Sequence, residues 1–218
     1  MLTRSCLITV CLLVSACSVF GIRTAEELEY SVVEDHDDVE IRQYAPHLSA
    51  QASMKGAYKD IQSGLFRVLA GYIFGKNSTE EDIAMTAPVL METGTAAERQ
   101  NEDIAMTAPV MMERSGDDQW TMAFSMPSKY TLKTLPKPLD DRVQIVEIPQ
   151  RLYAVIRFSG SVSNLEKRQR KAEDLLEWLK KQSRYTVTGP PIFAGYDPPF
   201  TLPFLRRNEV LVPIEQSP

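Results

Sequence analysis

Residues 58–74 read YKDIQSGLFRVLAGYIF. Tyr58, Ile61, Leu65, Val68, Leu69 and Tyr72 recur at spacings of three and four, which places them on one face of an α-helix. Gly64 and Gly71 each weaken such a helix by about 1 kcal/mol relative to alanine. A glycine kept there lets another backbone or a flat ligand approach closely. Gly75-Lys76-Asn77 supplies the stop signal. On the N-terminal side, residues 30–33 and 39–43 read as strands around the acidic turn 34–38, and 48–54 reads as a third. On the C-terminal side, Trp120, Met122, Phe124 and Met126 alternate with Thr121, Ala123 and Ser125, a strand with one apolar face.

The pattern then repeats. Residues 143–148 and 152–158 read as strands joined by a Pro149-Gln150 turn, predicting a hairpin. Leu165, Ala172, Leu175, Leu176 and Leu179 mark a second helix over about 162–182. Its other face carries Lys167, Arg168, Arg170, Lys171, Glu173 and Asp174, read as a solvated face rather than a basic patch. Residues 192–196 and 209–214 finish as strands. The order predicts an α+β fold of two pseudo-symmetric halves, each a helix packed on an antiparallel sheet. The proline-rich stretch 135–140 joins them in one compact unit.

The whole chain has 218 residues, 44% apolar and 24% charged, an ordinary globular composition that excludes disordered and collagen-like classes. With 24 Lys+Arg against 29 Asp+Glu, the net charge of −5 gives no basic footprint for nucleic acid. All three cysteines, Cys6, Cys11 and Cys17, fall in the first 17 residues. Arg4 precedes the apolar run CLITVCLLV at 6–14, which is too short to span a bilayer but suits a secretory signal. Val14-Ser15-Ala16-Cys17 resembles a bacterial lipobox. The organisation expected is therefore a signal peptide at 1–16, a tether at 17–29 with Cys17 lipidated, and a folded domain at 30–214. An ordinary signal peptide with an incidental cysteine is the alternative. Ser18 after Cys17 leans toward a periplasm-facing anchor in the outer membrane, and cleavage would leave the domain no disulfide partner.

Residues for catalysis are scarce. The chain has two histidines, His36 and His47. G-x-S-x-G, H-E-x-x-H and a Cys/His metal cluster are all missing. Residues 71–77 resemble a phosphate loop, but the spacing is one short and the Mg²⁺-binding hydroxyl is replaced by Asn77. Arg206-Arg207-Asn208-Glu209 suits either an anion site or a structural ion pair. These features predict a binding protein rather than an enzyme.

The nonapeptide EDIAMTAPV at 81–89 recurs at 102–110. Two copies are too few for a solenoid, so they read as a local duplication within a hairpin, two strands that each end at a proline. Met85 and Met106 are soft thioethers that suit either contact with a flat ligand or metal, or core packing. The segment 83–89 is similar to the hallmark of the SOUL haem-binding family. The resemblance extends to 39–44, 72–77, 158–160, 194–199 and 206–210, in order. It implies a distorted β-barrel related to gyrase-inhibitor-like effector-binding domains. It also implies haem or another tetrapyrrole held in a hydrophobic cleft beside the first helix. Carried onto this chain, the cleft-facing positions are Ser63, Phe66, Arg67, Ala70 and Gly71, with Arg67 near a propionate and Met85 as a further contact. Some family members place a histidine where this chain has Gln43. With only His36 and His47 as weak metal candidates, the resemblance implies reversible, carrier-like haem binding governed by apolar contact. The partners expected are haem or porphyrin and a membrane, reached through the lipid anchor. A module of the same fold that binds an effector or a protein without haem is the alternative.

Overall fold

A computed structural model describes residues 25–78, 104–105, 107–114, 119–161, 164–197 and 200–217. The signal, Cys17, the first nonapeptide with Met85, and Met106 lie outside the described residues. Three strands open the described chain: β1 (Tyr30–His36), β2 (Val39–Tyr44) and β3 (His47–Lys55). Helix α1 (Tyr58–Ile73) follows, then β4 (Asn77–Ser78), β5 (Val110–Arg114), β6 (Gln119–Ser125), β7 (Lys137–Pro138), β8 (Gln144–Ile148) and β9 (Arg151–Phe158). Helix α2 (Leu165–Lys180), β10 (Tyr185–Val187), β11 (Ile192–Gly195) and β12 (Asn208–Gln216) complete it. The fold is α+β: two helices on one strongly curled antiparallel sheet that forms a half-barrel.

Helix α1 buries the predicted stripe, including Leu65 and Leu69, against β3 and β6. Burying each such side chain contributes about 1.5–3 kcal/mol. Asp60 in its first turn complements the helix dipole. The helix stops where Gly75 turns to φ 93° and the Lys76 amide donates to the Gly71 carbonyl at 2.8 Å. Helix α2 starts at Asn164, whose side chain accepts from the Lys167 amide at 2.9 Å. It packs Ala172, Leu175 and Leu179 on β9 and β12.

Sheet order is β1-β2-β9-β12-β11-β5-β6-β3-β8, with β10 on the side of β12 and β4–β7 a separate ribbon. Three expectations change here. First, β8 and β9 are not a hairpin: β8 pairs with β3, and β9 pairs with β2 and β12. Pro149-Gln150 bends one long strand between the halves, and Ala45-Pro46 does the same between β2 and β3. Opposite these bends, Tyr44 pairs with Arg151 and His47 with Ile148. Proline cannot donate to a ladder, so each ladder breaks there and its strand changes sheet half. Second, the boundary is not at 135–140: β8 still belongs to the first half, while β1 and β2 serve the second. Third, among the described residues of the second nonapeptide copy, no strand runs up to the proline. Ala108 and Pro109 form a cis bond, Ala108 bridges Glu27, and strand β5 begins only at Val110.

Candidate functional site

A cleft of about 590 Å³ lies against α1, with β5, β6, β11 and the start of α2 as its other walls. Ser63, Phe66, Arg67 and Ala70, four of the positions carried over from the resemblance, line it from α1. They share the face that does not meet the core, one turn apart, so Phe66 stays 42% exposed while its edge touches Phe124 at 5.5 Å between centroids. Gly71 lies off the cleft, where a Cβ would meet the Lys76 side chain at 3.1 Å. A side chain there would crowd Lys76, whose amide closes the end of the helix.

The opposite wall was not legible in the sequence. Met112 and Met122 are direct cross-strand partners on β5 and β6, both buried and both lining the cleft. Tyr58, Phe193 and Arg168 close its end. Arg168 is only 5% exposed, although its neighbours in sequence gave it a solvated helix face. Its guanidinium sits 5.6 Å from the Tyr58 ring and 5.3 Å from Phe193, and donates to Tyr58 Oη.

Both histidines lie elsewhere. His36 ends β1, with Nε2 at 2.8 Å from Glu34 Oε2 and its ring beside Trp178. His47 begins β3, with Nδ1 at 3.0 Å from the Ala45 carbonyl, and burial pulls its pKa below the ordinary value despite that bond. It lines a second concavity at the strand bends, together with Pro46 and Pro149. Gln43 lies on β2 at a third, smaller hollow beside Leu152.

The Arg206–Glu209 segment resolves as a structural ion-pair network. Glu209 on β12 is fully buried. Its carboxylate accepts from Arg42 Nη1 at 2.9 Å, Arg207 Nε at 2.9 Å and Tyr196 Oη at 2.7 Å. Burial opposes the charge on Arg42 and on Arg207, but Glu209 with its neighbours overrides it and holds both guanidiniums charged. Burial and Glu209 push the Tyr44 hydroxyl up to about 12. Arg207 also reaches Glu27 at 2.8 Å, and its amide donates to Asp197 Oδ2 at 2.6 Å.

The profile of the SOUL heme-binding protein family matches residues 25–100 and 93–213. The chain belongs to the SOUL heme-binding protein family. Among solved structures, this SOUL chain is similar to the EcmrR C-terminal domain, with a TM-score of 0.55, 9% identity, and coverage of 86% of this chain and 99% of that one. The EcmrR–DNA complex gives 0.55 and 10%, covering 82% of this chain and 57% of that one. A hydrolase from Listeria innocua gives 0.46 and 12%, covering 84% and 94%. Comparison with curated proteins finds no match.

The SOUL cleft fits an amphipathic, acidic macrocycle in three respects. Its volume falls in the range of ligand pockets, and its walls are mainly aromatic and aliphatic. Lys59, Arg67 and Arg168 supply cations for carboxylates. It does not offer a histidine to iron. Among the described residues, Met112 and Met122 are the soft donors on its wall.

Proposed function

We propose that this chain binds haem or a related tetrapyrrole reversibly in the α1 cleft, acting as a carrier or buffer and not as a catalyst. One observation carries this. A chain of net charge −5 lines an aromatic cleft, among the described residues, with Lys59, Arg67 and Arg168 and one acid, Asp197. That inversion of local charge suits a ligand with an apolar face and acidic substituents. Bound haem would supply an iron centre. The chain's own part is to stack Phe66 and Ala70 on the macrocycle, meet its carboxylates and exclude water from its apolar face. Axial ligation sets much of haem chemistry, so a cleft without histidine suits transfer rather than redox turnover.

The expected signal peptide at 1–16 supports placement in the cell envelope through a lipid on Cys17, facing the periplasm. Replacing Cys17 by Ser then moves the protein from the membrane to the soluble fraction. Haem titration followed at the Soret band tests the main reading. A saturable shift with one equivalent of haem is expected, and the absence of any saturable shift overturns it. The likeness to the EcmrR C-terminal domain favours a second reading, an effector- or protein-binding module without haem. That reading gains if no Soret-absorbing pigment binds while another molecule co-purifies in the same cleft.

A further inference from the structure

Among the described residues, Arg168 is a buried charged group with little local compensation. It is 5% exposed and lines the cleft. Among the described residues, no carboxylate lies within ion-pair distance of it, and its side chain makes one hydrogen bond, to Tyr58 Oη. The contrast with the equally buried Arg42 is sharp, because Arg42 has Glu209 at 2.9 Å and Glu40 at 2.6 Å. A buried guanidinium without an anion is costly. The Tyr58 and Phe193 rings offset part of that cost through their π faces but use none of its remaining donors. The fork of an arginine matches a carboxylate bidentately.

From this geometry we infer that Arg168 is the specificity-determining residue of the cleft, reading a free carboxylate on the bound ligand. This rests on the tetrapyrrole reading above and adds to it which substituent the protein recognises and where. The carboxylate enters between Tyr58 at the start of α1 and Arg168 on α2, so the ligand ties the two halves together. Arg67, at the exposed rim, is left to attract the ligand rather than select it.

The test compares protoporphyrin IX with its dimethyl ester, titrated under the same detergent conditions into the full-length protein. Intrinsic fluorescence and porphyrin absorbance report binding. The wild-type protein is expected to prefer the free acid by about tenfold, the scale of one charge-assisted hydrogen bond. Arg168→Gln is expected to bind both porphyrins alike, and Arg168→Lys to keep part of the preference. Equal binding of acid and ester by the wild type overturns the inference while leaving the tetrapyrrole reading intact. An undiminished preference in folded Arg168→Gln also overturns it. Binding of neither porphyrin by the wild type overturns the tetrapyrrole reading itself and this assignment with it. The wild-type comparison needs no variant, so a misfolded Arg168→Gln does not stall the test.

Discussion

The α1 cleft and the groove at the strand bends are built from the same fold and carry opposite charge. The groove is the larger, about 890 Å³, and takes Glu26, Glu27, Glu29 and Glu147 with no Lys or Arg on its wall among the described residues. The cleft, about 590 Å³, takes Lys59, Arg67 and Arg168 against Asp197. Size alone would favour the groove. Charge and aromatic lining favour the cleft for an acidic macrocycle, because dianionic ligands are repelled by a carboxylate rim. The groove owes its shape to the proline bends of β2–β3 and β8–β9, so it follows from how the halves are joined. The cleft owes its lining to side chains the core does not use.

Between them stands the Glu209 network. Arg207 touches Glu27 of the groove and Asp197 of the cleft while it pairs with Glu209. The largest effect expected is therefore from Glu209→Ala, which removes the fully buried carboxylate that Arg42 and Arg207 share and leaves each with one partly exposed partner, Glu40 and Glu27. Denaturant unfolding should show a loss of about 3–5 kcal/mol. A loss below about 1 kcal/mol would mean that the network does not brace the two concavities.

Bulk placed in each concavity separates them next. Ala70→Trp fills the cleft and is expected to weaken haem binding about tenfold or more, while Leu132→Trp in the groove changes it by less than about twofold. The reverse order would transfer the ligand to the groove.

Much of this layout was legible before the structure. Tyr58–Ile73 and Leu165–Lys180 follow their apolar periodicity closely, and the inward residues of β3 and β6 follow theirs, whereas β12 is buried on both faces over Asn208–Ile214 and shows no alternation. The short strands β4, β7 and β10 have two or three residues, too few for a period to show. The hairpin expected at Pro149-Gln150 failed because a proline between two strands marks a bend as readily as a turn. The matching Ala45-Pro46 was the available sign that both strands cross between halves. Four of five α1 site positions share the cleft because one helix face fixes them together. Arg168 was misread for a long-range reason: its neighbours are solvated, and only Tyr58, 110 residues away, and Phe193 reveal its burial.

A smaller effect concerns pH. Burial lowers the folded pKa of His47 below its ordinary 6.5, so the neutral ring is the one the fold accommodates. Its contribution to stability is present above pH 6.5, and is lost as pH falls from there through the lowered folded value. Tm should fall further between about pH 7.5 and about pH 5.5 in wild type than in His47→Gln. An identical acid shift in both proteins would remove His47 from the account.

The smallest effect belongs to the groove acids. Glu29→Gln with Glu147→Gln should change haem affinity by less than about twofold at physiological salt, because exposed charges are screened beyond a Debye length of about 8 Å. A tenfold gain would show that the groove rim, not the cleft, faces the ligand.

Methyl NMR spectra during titration with diamagnetic protoporphyrin IX test the central claim most directly, because a porphyrin ring current shifts only protons close to it. The account predicts large shifts for the methyl groups of Ala70, Met112 and Met122, with those of Leu132 and Ile148 unmoved. Shifts at Leu132 and Ile148, with Ala70 and the two methionines still, would contradict it.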